Sequence, residues 1–187
     1  MDRREALKRV GFLMGGTVSL SVASGILSGC QAPAAGGYTY QTLSATQGEL
    51  VATISELIIP ETDTPGARAA RVHEFADLML TEWFDVADRD HFLAGLGEID
   101  SVAQSINGAT FVDNTEEQQV AILTEMEDAA LSDASGDQTP FFSMIKQLTL
   151  LGYYTSEIGA SQELKYVHTA GEYRGDVPYE EIGRAYS

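Results

Sequence analysis

The sequence predicts an all-α fold, a compact bundle of about five helices with an extended, Tyr-rich C-terminal tail. Three observations predict it. Five stretches carry apolar residues at helical spacing, and most are opened by a capping residue or closed by Gly or Pro. No stretch of useful length alternates apolar and polar residues as a half-buried strand does. The chain has 187 residues and is 44% hydrophobic, which suits one domain with its own core.

The elements follow in order. Thr46-Gln47-Gly48-Glu49 has the spacing of a capping box, which satisfies free amides at a helix start. Leu50, Val51, Ile54, Leu57 and Ile58 then share one helical face, and Pro60 stops the run. Pro60-Glu61-Thr62-Asp63-Thr64-Pro65-Gly66 is a turn-rich loop. Its prolines fix φ, and its Asp and Thr side chains bond local amides. A second helix is expected over about His73 to Val86, with Val72, Phe75, Leu78, Met79, Glu82, Trp83 and Val86 near one side. Asp88 is expected to cap a third, in which Phe92, Leu96, Ile99, Ala103 and Ile106 keep helical spacing and Asn107-Gly108 is the stop. Thr115-Glu116-Glu117-Gln118 is another capping box. It opens a fourth helix with Val120, Leu123 and Met126 inward and an acidic outer face. Thr139-Pro140 starts a fifth, with Pro at its first position, through Phe141, Phe142, Ile145, Leu148 and Leu151. Beyond Gly159 the chain is polar and Tyr-rich and reads as a short helix and then the tail.

Charge divides the chain. Its 11 basic and 28 acidic residues give a net −17. Four of the basic and two of the acidic residues fall within positions 1–29, so the remainder carries −19. So acidic a chain is a poor match for nucleic acid, whose phosphates require a basic surface. The basic start precedes a mildly apolar run from Val10 to Leu27, about 18 residues rich in Gly and Ser. A basic region, an apolar run and small residues at its end read as an export signal. Arg3-Arg4 resembles a twin-arginine export motif, an address read by a receptor. Leu27-Ser28-Gly29-Cys30 resembles a lipobox, which makes Cys30 the lipid attachment point and the first mature residue. The chain then divides into a leader over 1–29, a flexible tether over 30–43 and a helical domain over 44–187. Cys30 is the single cysteine, so no disulfide framework and no thiolate zinc site is available.

Catalytic signals are sparse. His73, His91 and His168 each lack a second His or Cys at ligand spacing, and the first two lie at expected helix starts as solvated or capping residues. Glu125, Glu127 and Asp128 read as a solvated helix face. No Gly-rich phosphate loop and no nucleophile elbow occurs. Two segments stand out instead: the loop from Ile59 to Ala67, and Leu151-Gly152-Tyr153-Tyr154-Thr155-Ser156-Glu157-Ile158-Gly159. As structure they are a helix connector and a helix end. As function, a rigid loop and adjacent tyrosines make a contact surface that loses little entropy when a partner binds.

These two segments carry a resemblance. Ile58-Ile59-Pro60-Glu61-Thr62-Asp63-Thr64-Pro65-Gly66-Ala67, followed by Val72-His73-Glu74-Phe75, resembles the signature of the gluconate 2-dehydrogenase subunit 3 family. Leu148 to Gly159 resembles its second block, and the twin-arginine leader fits as well. The resemblance runs from about Leu43 to Pro178. It implies a non-catalytic small subunit of a membrane-bound sugar or sugar-acid dehydrogenase. The implied partner is a glucose-methanol-choline-type oxidoreductase subunit that binds FAD and oxidises the substrate, and a cytochrome c subunit often takes the electrons. No cofactor is expected in this chain. The small subunit is expected to export and mature its partner. The lipobox departs from the family's commonest pattern and adds anchoring to a membrane facing the periplasm. Pro60, Glu61, Thr62, Asp63, Thr64, Pro65 and Gly66, with Gly152, Tyr153, Tyr154, Ser156 and Glu157, are the candidate partner interface. The alternative is a free-standing envelope lipoprotein acting as a binding or structural module.

Overall fold

A computed structural model describes residues 38–132, 138–169, 171–172 and 174–186. Cys30, Arg3 and Arg4 lie outside the described residues. The described helices are α1 (Ala45–Ile58), α2 (Val72–Glu82), α3 (Val86–Asn107), α4 (Glu116–Ser132), α5 (Phe141–Thr155) and a short α6 (Tyr179–Ile182). A 3-10 turn, Phe111–Asp113, precedes α4, and a π-type turn, Gly159–Glu163, follows α5. The fold is all-α. Among the described residues no strand forms, only an isolated parallel bridge between Lys165 and Tyr186. None of these helices is long and apolar enough to cross a membrane.

The helix starts sharpen the sequence reading. The capping box of α1 is Ser44 with Gln47, not Thr46 with Glu49. The Gln47 amide donates to Ser44 Oγ at 3.2 Å, and the Ser44 amide donates back to Gln47 Oε1 at 2.9 Å. Both quartets have a hydroxyl at the first position, and the earlier one wins because Leu43 is buried and draws the chain in. Helix α2 ends at Glu82, short of Val86, because Trp83 and Phe84 turn out of it. Asp85 rather than Asp88 caps α3, accepting from the Asp88 amide at 2.9 Å. Thr115 and Gln118 form the expected box. Gly108 adopts the left-handed conformation, φ 74°, that ends α3 where Asn107-Gly108 predicted it.

The core lies where α1, α2, α3 and α5 meet, with Ile54, Leu80, Phe92, Ile99, Phe111 and Ile145 fully enclosed. Several residues expected inward face out: Leu78, Trp83, Val86, Ile106, Val120 and Leu151 are exposed. On α4 the buried side is set by Gln119, Ile122 and Leu123. Gln119 is tolerated there because its amide donates to the Phe111 carbonyl at 2.8 Å. Ser55 and Thr149 form a buried hydroxyl pair at 3.1 Å between α1 and α5.

The chain has joined the folded unit by Thr39. The cause is Asp77, fully buried in α2. Its carboxylate accepts from the amides of Gln41, Thr42 and Leu43 at 2.9, 3.0 and 2.8 Å. A buried carboxylate surrounded by backbone donors is satisfied, and it fastens the incoming chain to α2. At the other end the tail folds back. The Lys165 amide donates to the Ala185 carbonyl at 2.7 Å, and Lys165 Nζ lies 5.2 Å from the centre of the Tyr186 ring.

Candidate functional site

The loop after α1 is built from inside the helix. Glu56, in the last turn of α1, points its carboxylate into the loop. It accepts from the Glu61 amide at 2.9 Å and from the Arg68 amide at 2.8 Å. One side chain thus satisfies both ends of the connection. Gly66 is buried because that carboxylate occupies the space where a Cβ would stand. Further bonds close the loop: Ala67 N to the Ile59 carbonyl at 2.9 Å, and Thr62 N to the Thr64 carbonyl at 3.0 Å. At its exit Arg71 takes a left-handed φ of 57° and starts α2.

The second segment reaches the loop from α5. Tyr153 is 1% exposed and donates its hydroxyl hydrogen to the Pro65 carbonyl at 2.8 Å. With Ala67 and Val72 it forms a small cluster separate from the main core, lined by Ile59, Ala70 and Ile158. Gly152 lets Phe75 of α2 approach, since an added Cβ would lie 2.7 Å from the ring. Ser156 closes α5: its hydroxyl donates to the Tyr153 carbonyl and accepts from the Gly159 amide at 3.0 Å. Glu163, in the turn beyond, accepts from the Thr64 hydroxyl at 2.7 Å.

The two segments, about 90 residues apart in sequence, are therefore one unit. Its candidate residues divide by depth. Gly66, Gly152 and Tyr153 are buried and support the surface from behind. Thr64, Pro65 and Ser156 are half-buried, while Pro60, Glu61, Thr62, Asp63, Tyr154 and Glu157 are exposed. The Tyr154 ring stands edge-on to that of Tyr153, with centroids 5.3 Å apart. Sequence reasoning missed Glu56, Asp77 and Glu163. Asp77 had a readable signal, a carboxylate flanked by the buried positions Val72, Ala76 and Leu80.

The histidines sit on separate elements. His73 is not solvated as expected but half-buried, with Nδ1 enclosed and unbonded. Burial holds it below its ordinary value, and the Glu74 carboxylate opposes that shift. His91 Nε2 lies 3.1 Å from the Thr139 carbonyl, and His168 pairs with Tyr166. Among the described residues no group of His, Cys, Asp and Glu is placed to hold a metal.

An all-α domain whose most distinctive sequence is spent on holding one loop in shape is what fold and geometry define. Its family follows from the sequence match. The profile described as gluconate 2-dehydrogenase subunit 3 covers residues 45–171, and the chain belongs to that family. It is thereby a member of a family of dehydrogenase-complex subunits. No curated protein and no solved structure matches the chain.

Proposed function

We propose that this chain is the non-catalytic small subunit of a membrane-associated, flavin-dependent sugar or sugar-acid dehydrogenase. It aids the maturation, folded co-export and anchoring of a catalytic subunit of the glucose-methanol-choline type, which holds the FAD. The observation that carries this reading is the clamped loop. Pro60 to Asp63 project into solvent, while Glu56 and Tyr153 fix the backbone behind them. A surface ordered before binding loses little entropy on association, which is what a partner-binding element requires.

The leader supports the same reading. A twin-arginine route carries folded proteins, and a flavoprotein that must take up FAD in the cytoplasm needs such a route. The two subunits bind, and one leader with Arg3 and Arg4 serves both. Lipidation at Cys30 then holds the complex at the membrane. Arg3→Lys with Arg4→Lys is expected to leave the flavoprotein in the cytoplasm, and Cys30→Ala to release the exported pair from membrane fractions. Undisturbed export of the flavoprotein by the double variant would refute the shared leader.

A further inference from the structure

A second surface lies at the opposite end of α2 and the middle of α5. A groove of about 280 Å3 opens there, lined by the apolar Met79, Phe84, Met144, Leu148 and Leu151 and by the polar Asp88, Thr139 and Gln147. Exposed apolar residues adjoin its lining in sequence. Trp83, the single tryptophan, is 78% exposed beside Phe84, and Val86 and Leu151 are exposed with it. Holding an indole in water forfeits the largest apolar burial a side chain offers, and such patches mark binding sites. The groove's carboxylate is Asp88, whose backbone amide is held by the exposed Asp85; Glu82, at the end of α2, is exposed as well, and the one cation in this stretch, Arg89, lies 3.8 Å from Asp90.

We infer that this groove, with its carboxylate, binds an apolar segment flanked by Lys or Arg on the catalytic subunit, a second contact beside the clamped loop. The inference rests on the function proposed above. Charge selects the occupant. A second copy would bring the same carboxylates and a mature net charge of −19, and an anionic lipid surface would be repelled by the same charges. A basic-rimmed apolar ridge satisfies both features of the groove. Leu151 belongs to the second family segment, so that segment serves both surfaces: Tyr153 points inward to the loop and Leu151 outward to the groove.

The test uses the tagged full-length chain, expressed in its own host, and measures the flavoprotein recovered per tagged chain. Two variants are compared with the wild type, Trp83→Ala and Glu82→Lys with Asp88→Lys. Asp85 is left alone because it caps α3. Each variant is expected to lower the recovered flavoprotein at least tenfold, as removal of a central aromatic or reversal of complementary charge does. Far-UV circular dichroism and the unfolding midpoint stay unchanged, and wild-type recovery falls as salt is raised. Wild-type recovery by either variant overturns the inference while leaving the proposed function intact. A wild-type dimer split by Trp83→Ala would give the groove to a second copy, and loss of membrane binding alone would give it to lipid. Either result overturns it. A wild-type chain that recovers no flavoprotein overturns the proposed function, and this occupant with it.

Discussion

The two ends of the α2–α5 pair are built in opposite ways. At one end, Tyr153, Gly66 and Glu56 are packed and bonded around the loop, and what solvent sees is mostly Pro60 to Asp63. At the other, Met79, Phe84 and Met144 line a groove that carries Asp88, and Trp83 and Val86, next to Phe84 in sequence, are exposed. The difference separates two uses of sequence. The motif-rich end uses its residues to define a shape. The groove end shares Leu148 and Leu151 with the second family segment and leaves apolar surface uncovered.

Substitutions test that contrast directly. Tyr153→Ala empties a fully buried site and removes the bond to Pro65, so it should lower the unfolding free energy by about 3–5 kcal/mol. Tyr153→Phe should lower it by only about 1 kcal/mol, the net value of one hydrogen bond. Trp83→Ala, at an exposed position, should change it by about 0.5 kcal/mol or less. Denaturant titration checks all three. Equal losses at Tyr153 and Trp83 would erase the distinction between the two ends.

Asp77→Ala ranks second in size, below Tyr153→Ala alone. It strands three backbone amides at the start of the folded unit and should lower stability by about 3 kcal/mol. Hydrogen exchange at Gln41, Thr42 and Leu43 should accelerate together. Unchanged exchange there would mean that Asp77 does not fasten the incoming chain.

How much of this was legible follows the same line. The all-α class was legible because the main core rows, such as Phe92, Leu96, Ile99 and Ala103, keep helical spacing. The Thr115 box and the Gly108 stop were legible because they are local chemistry. The α2 boundary was not, because Trp83 and Val86 extend the apolar pattern yet are spent on the surface. The depth of the loop's residues was not legible either. That Tyr153 faces inward and Tyr154 outward depends on where α5 meets a loop about 90 residues away, which no local pattern records. Glu56 was hidden for the same reason, since an acidic residue on a helix ordinarily faces solvent.

The smallest effect concerns pH. His73 is held below its ordinary value of 6.5 chiefly by burial, with Glu74 and Glu49 opposing and Arg68 and Arg71 reinforcing the shift. The unfolded chain therefore takes up this proton first. Stability is full above about pH 6.5 and declines as the pH falls from there toward the lower folded value. His73→Gln should flatten that decline in unfolding curves measured across the window. A variant with the wild-type slope would place the titration elsewhere.

The most direct measurement is the composition of the complex. The tagged full-length chain, purified from the cell that makes it, should bring with it a flavin-bearing dehydrogenase subunit in fixed ratio, with no leader of its own. Purification of the chain alone, with no flavin and no second polypeptide, would contradict the accessory-subunit role proposed for it.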